Sequence, residues 1–394
     1  MACDECDKSR AMGYKFCIKC GQSFAASAPV PVHTVERKGP FDESVLEKIV
    51  IPSMIVIFIA CIASAAVVLM DFNATLEFFG KDGVTPWIYF FAFFKPFVLS
   101  GAAAQAFWVF LAVVLIACIV LFFFDSREAF RFNSGDYMEK TRKTPLFWVG
   151  LLLGSTLMIE IIMNLVFTAI GMGITTPGGL IDMDLEESLK AFTFAAVWEE
   201  VMFRMVMFGL PITIIALASR EKGALKNLFG GFGASKMSIF FLIFSTILFA
   251  VAHVDSWGVM KIFTVCIGGF VMGYTYMRFG IHVSIVCHMI NDYAMVWSLG
   301  LGEIVAGLLL LGIFGLGLLN IPLLFKKTMK GIRKAKTLPA THFAVAAIDV
   351  PEPQPEPVQE NVICDDVQEE FFEGEIPEAD DPEVQDDNQG PRID

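Results

Sequence analysis

Glu199 and Glu200 stand side by side in the apolar run FTFAAVWEEVMFRMVMFG, and Arg204 follows four residues after the second. An ionisable group inside such a run is costly and calls for a reason. On a helix Glu200 and Arg204 share a face and can pair, whereas Glu199 points about 100° away and is left for another task. Two later runs add to the set. FSTILFAVAHVD puts His253 one turn after Phe249, and IHVSIVCHMINDYAM sets His288, Asn291 and Asp292 at i, i+3 and i+4 on one stripe. Taken singly, Glu200–Arg204 reads as an ion pair that fixes helix packing, and His253 as one end of an interhelical hydrogen bond. Together, two carboxylates, an Arg, two His and an Asn/Asp on three nearby runs form an improbable set for a lipid-facing scaffold. Glu160, with Asn164 four residues on, has no such company and reads as structural.

A second cluster lies near the N-terminus. Cys3, Cys6, Cys17 and Cys20 follow the spacing C-x2-C-x10-C-x2-C, in which each C-x-x-C pair grips one tetrahedral Zn²⁺ from two sides. KFCIKCGQSF resembles the second knuckle of small zinc ribbons, and Gly21 permits the tight turn after Cys20. In the first half Asp7 stands where a Gly is usual. No export signal is expected in the polar first 40 residues, so a reducing cytosol favours thiolate ligands over disulfides. Cys61, Cys118, Cys266 and Cys287 lie in apolar runs and read as small core residues.

The elements that must position the acid–base set follow from composition. Of 394 residues 55% are hydrophobic, 39 are Phe and only 18% are charged, with a mean hydropathy of +0.63. This composition fits a chain that lies mostly in lipid. The formal charge of −13 is concentrated at one end: residues 349–394 hold 17 Asp and Glu against one Arg, leaving the rest nearly neutral and without a basic footprint for nucleic acid. A helix needs about 20 residues to cross about 30 Å of hydrocarbon. Eight runs meet or approach that length: about 48–70, 97–124, 145–170, 188–218, 237–253, 261–277, 281–298 and 301–325. PWIYFFAFF (86–94) is too short to span and suits an interface. Of the 29 Lys and Arg, 24 fall in alternate gaps between these runs, which places both termini in the cytoplasm of a multi-pass cell-membrane protein.

The expected organisation is therefore a zinc ribbon at 1–24, a linker at 25–46 and an all-α, multi-pass transmembrane helical bundle at 47–325. A basic juxtamembrane segment follows at 326–336, whose six cations can hold anionic headgroups. The Pro-rich acidic tail, 337–394, lacks the apolar residues to fold. The ribbon and tail are the candidate surfaces for a cytoplasmic partner.

With the residues in view, EEVMFR resembles the EExxxR motif, FAVAH the FxxxH motif and HMIND the HxxxN/D motif of the CPBP (Abi) family of membrane peptidases. These are the type II CAAX-prenyl proteases and bacteriocin-processing intramembrane enzymes. The resemblance covers residues 145–300, with the motifs in the family's order. It implies endopeptidase action on a polypeptide presented at the bilayer, with Glu199 activating water beside His253. His288 and the residue four further on would stabilise the oxyanion, and Glu200 and Arg204 would hold the site in shape. The last position is often Asn, an N–H donor; here it is Asp292, preceded by Asn291. Either Asp292 is protonated, or Asn291 takes the role, or the group binds a metal. A metalloprotease-like reading, with Glu, His, His and Asp as Zn²⁺ ligands, stands beside the metal-independent one, although there is no HExxH pair. A proton-coupled transporter and a peptide-binding homologue without activity are the readings from other classes. The substrate, prenylated or not, is not legible.

Helix rise alone sets His288 about 10 Å, and His253 about 24 Å, from the cytoplasmic ends of their runs. The two meet only if helices tilt or break around a water-filled cavity.

Overall fold

The computed structural model describes residues 5–14, 16–21, 42–90, 93–132, 135–172 and 182–340. Cys3, most of the 25–46 linker and the acidic tail from 341 onward lie outside the described residues.

The apolar runs become helices whose starts are written in the sequence. α1 spans Glu43–Met70, with the Asp42 carboxylate accepting from Ser44 N–H; β1 (Trp87–Phe90) and β2 (Phe93–Pro96) follow; α2 spans Ala102–Asp125. α3, Pro145–Ala169, begins with proline at its first position and Thr144 as cap, and α4, Leu185–Ala218, is capped by Asp184. α5, Lys236–Ala252, starts with a reciprocal Ser235–Ser238 capping box; α6 is Lys261–Phe279; α7 is Ile281–Asp292; α8 is Ala294–Leu301; α9 is Glu303–Ala335. Every one of the eight runs falls on helix, and the bundle is all-α apart from the small hairpin. Six of these helices are long and apolar enough to cross a bilayer. The other two depart from simple spans: α5 has only 17 residues, and the run at 281–298 breaks at Tyr293 into α7 and α8.

Two local corrections concern the polar margins. The interfacial segment at 86–94 covers β1 and the start of β2, which run antiparallel and pair Trp87 with Pro96 and Phe90 with Phe93. The basic segment 326–336 is not separate, because α9 runs through it to Ala335. Lys327 Nζ lies 2.6 Å from Glu43 and 2.8 Å from Glu47, and Lys330 also pairs with Glu43. These two cations tie the last helix to the first, so fewer are free for headgroups.

Leu311, Leu308 and Leu165 leave 65% or more of their surface outward, the face expected to meet acyl chains. The inner faces pack closely. A Cβ on Gly154 would sit 2.5 Å from the Ile313 carbonyl, so glycine lets α3 and α9 approach backbone to backbone. Ser155 Oγ donates to the Gly317 carbonyl at 3.1 Å across that contact, and Asn320 donates to Ser53 at 2.8 Å between α9 and α1. Trp297 donates to Ser64 at 2.9 Å and fixes α8 on α1.

Candidate active site

The middle of α4 is not α-helical. Ala195–Glu199 and Val201–Gly209 are wound as π-helix, with α-helix on both sides. Such π-wound turns are rare and frequent at functional sites, and here Glu199 and Glu200 face different surroundings.

Glu200 faces the protein interior and is fully buried, as is Arg204. Arg204 Nε donates to Glu200 Oε2 at 3.1 Å, so the i, i+4 pair read from the sequence forms. His288 Nδ1 lies 3.0 Å from Glu200 Oε1. The Ser284 hydroxyl sits against Glu200 Oε2 and 2.9 Å from the Met272 carbonyl. Ser284 is a site residue that the sequence reading missed. Its signal was present, since Ser284, His288 and Asp292 follow one another at i+4 on α7. Phe249 ties the set together: its ring lies 4.9 Å from the Arg204 guanidinium carbon, 4.7 Å from the His253 ring and 5.9 Å from the His288 ring.

Glu199 faces a cavity of about 470 Å³ together with Phe249, His253, His288, Asn291 and Asp292. Its Oε2 lies 3.8 Å from His253 Nε2 and 3.9 Å from His288 Nε2, and has no hydrogen-bond partner although it is buried. His253 is oriented by the chain itself, its Nδ1 standing 2.8 Å from the Phe249 carbonyl one turn back. That bond needs Nδ1–H and leaves the Nε2 lone pair toward Glu199. His288 meets Asp292 Oδ2 at 3.2 Å through Nε2, so carboxylates face both its nitrogens. Asp292 Oδ1 in turn accepts from Asn291 Nδ2 at 2.9 Å. With both oxygens receiving, Asp292 orients its neighbours, and the second N–H of Asn291 is the remaining side-chain donor on that stripe.

Glu199, His253, His288, Asn291 and Asp292 are thus brought to one cavity, with Glu200 and Arg204 directly behind it. His253 and His288 meet at the cavity, each within 4 Å of Glu199 Oε2. Glu160 and Asn164 line the same space from α3, together with Lys261 at the start of α6. Reading them as structural for want of company is corrected by the packing of α3 beside α6, which sequence spacing does not contain.

Metal ligation separates the two ends of the chain. Among the described residues the one group of three or more His, Cys, Asp or Glu ligand atoms within 4.8 Å of one another is Cys6, Cys17 and Cys20. Cys6 Sγ and Cys20 Sγ are 3.6 Å apart, close to the about 3.8 Å edge of a tetrahedron of sulfurs each about 2.3 Å from zinc. Gly21 turns at φ +74° directly after Cys20. Cys3 lies outside the described residues. The carboxylates and imidazoles of the cavity do not gather in that way, so no metal step is derived for them.

No curated protein and no solved structure matches this chain. Residues 185–294, from the first turn of α4 to the start of α8, match the family model described as type II CAAX prenyl endopeptidase, Rce1-like. That stretch holds all three motifs, and the chain therefore carries a Rce1-like domain of the membrane-protease type at residues 185–294, set in a multi-pass helical bundle.

Proposed function

We propose that this protein is an intramembrane endopeptidase that hydrolyses a peptide bond of a polypeptide presented at the bilayer. The observation that carries the reading is Glu199 Oε2, a buried acceptor without a partner, set 3.8 and 3.9 Å from two imidazole nitrogens. Those spacings are too long for direct hydrogen bonds and suit a water held among the three groups. Glu199 takes a proton from that water while His253 Nε2 accepts its other hydrogen. The oxygen attacks the scissile carbonyl carbon, and charge gathers on the carbonyl oxygen, where the second N–H of Asn291 donates while His288 is held between Glu200 and Asp292. Collapse of the tetrahedral intermediate breaks the C–N bond, and the proton on Glu199 passes to the departing amine. Glu200, Arg204 and Ser284 act behind the site by holding His288.

The purified protein in vesicles, incubated with a quenched fluorescent peptide carrying a farnesylated cysteine fourth from its carboxyl end, tests this. Cleavage is expected with and without chelator. Loss of cleavage in chelator would move the reading to a metal-dependent peptidase.

Two further parts of the reading rest on other residues. The Cys6, Cys17 and Cys20 sulfurs, with Cys3, would hold one structural Zn²⁺, which would supply the cross-link that a ribbon this small needs to fold. The alternation of basic residues supports cytoplasmic termini. Cysteine labelling from outside intact cells is then expected to modify a reporter at Asp182 and spare one at Lys222; the reverse pattern would overturn the orientation.

A further inference from the structure

The catalytic set occupies one part of the cavity. Another part is lined by Glu160 and Asn164 of α3, and by Lys261 and Thr264 of α6. None of these roles is used in the chemistry above. Asn164 Oδ1 is buried and has no hydrogen-bond partner. Among the described residues, the side chains of Glu160 and Lys261 make no hydrogen bond or ion pair, although both are ionisable and lie within membrane-spanning helices. Lys261 Nζ rests 4.2 Å from the Trp257 ring centroid, and Glu160 Oε1 lies against Gly268, where a Cβ would stand 3.3 Å away. Glycine at 268 keeps open the room beside the carboxylate.

Glu160 and Lys261 act on each other's charge, but neither hydrogen-bonds the other, so their donors and acceptors are left for water or a ligand in the cavity. The arrangement of donors and acceptors says which ligand. Acceptors stand on the α3 wall and an ammonium on the α6 wall, so the ligand offers N–H on one side and C=O on the other. A lipid tail offers neither, and a lone ion offers one charge. An extended polypeptide main chain offers both on each edge, because the N–H and C=O of one residue point the same way. One edge can donate N–H to the α3 acceptors while the other presents C=O to Lys261. The spacing agrees. Glu160 and Asn164 are one helical turn apart, about 6 Å along the axis, and alternate residues of a strand repeat at about 6.6 Å.

We propose that Glu160, Asn164 and Lys261 form a main-chain anchoring subsite that holds the substrate as an extended strand along the cavity wall that α3 and α6 build together, in register with Glu199. The proposal rests on the peptidase reading for its ligand. These are positioning residues, acting on KM and affinity ahead of kcat.

The test separates binding from cleavage. Anisotropy of the farnesylated fluorescent peptide is measured on vesicle-borne Glu199→Gln protein, with a set of peptides N-methylated at one backbone amide at a time. At one or two positions N-methylation is expected to weaken binding about tenfold, the worth of one hydrogen bond to a charged group. Adding Glu160→Met or Lys261→Met should weaken the parent peptide by a similar factor. Glu160→Met should also abolish the penalty at one N-methylated position, which a merely structural role would not do. Where Glu160→Met fails to fold, Glu160→Gln is expected to shift the same position by a smaller factor. In the otherwise wild-type enzyme the same changes should raise KM with kcat nearly unchanged. Unchanged affinity in folded variants, a penalty that persists in them, or no binding by the Glu199→Gln protein would each overturn the proposal. Binding with this pattern but no cleavage by the wild type would instead overturn the peptidase reading alone.

Discussion

His288 Nδ1 lies 3.0 Å from Glu200 Oε1, a contact between side chains 88 positions apart. It gives Glu200 two duties, since the same carboxylate also receives Arg204 at 3.1 Å. In the proposed reaction the second glutamate of the pair is joined to the reacting groups through His288, while the first meets the water directly.

Glu199→Gln is expected to lower turnover by a factor of about 10² to 10⁴, the usual worth of a general base, with the fold intact. His253→Ala should fall in the same range. The double variant should be little worse than either, because both groups act on one water. Full activity in well-folded Glu199→Gln would remove that residue from the mechanism.

Glu200→Gln should behave differently. It leaves a fully buried Arg204 without its counter-charge, a change that typically costs about 3–5 kcal/mol. Melting temperature and the yield of folded protein should therefore drop, and per-molecule activity should drop further as His288 loses its orienting carboxylate. A stable Glu200→Gln protein with wild-type activity would contradict both duties.

Asn291→Ala is expected to reduce kcat by about 10² to 10³ with little change in KM, the effect of deleting one oxyanion donor. Asp292→Asn keeps an oxygen for Asn291 and a polar group facing His288, so its loss should be smaller. The reverse ranking would assign oxyanion stabilisation to position 292.

Residues 1–30 produced as a peptide and freshly reduced should bind about one Zn²⁺, lost when Cys17 and Cys20 are both changed to Ser. Metal analysis of the full-length protein should show the same difference. Zinc at equal stoichiometry in the Cys17→Ser, Cys20→Ser form would place the ion elsewhere.

Much of this architecture was legible because hydrocarbon imposes strict rules on a sequence. Runs such as 145–170 can only be helices in lipid, and an unexplained Glu199 or His253 within them is conspicuous. The Glu200–Arg204 pair could be placed because i, i+4 spacing is local, and it forms even though the helix there is π-wound. What depends on contacts between distant helices was not legible. Glu160 shares a cavity with Glu199 only because α3 packs beside α6, and Ser284 reaches Glu200 only because α7 lies against α4. The stop at Asp292 is likewise unmarked by proline or glycine, since Tyr293 and Ala294 follow it.

The shortness of α5 reaches beyond the protein. Seventeen residues rise about 26 Å, against a hydrocarbon layer of about 30 Å, and the end of that helix carries His253. Used as a span, α5 falls about 4 Å short, and local thinning of the lipid meets such a mismatch at a cost of a fraction of a kcal/mol per ångström. Thinning draws headgroups and water toward His253, which in the proposed reaction accepts from the attacking water. Membrane thickness thus becomes a variable of the reaction: a thin leaflet hydrates the site without work, and a sterol-thickened one opposes it.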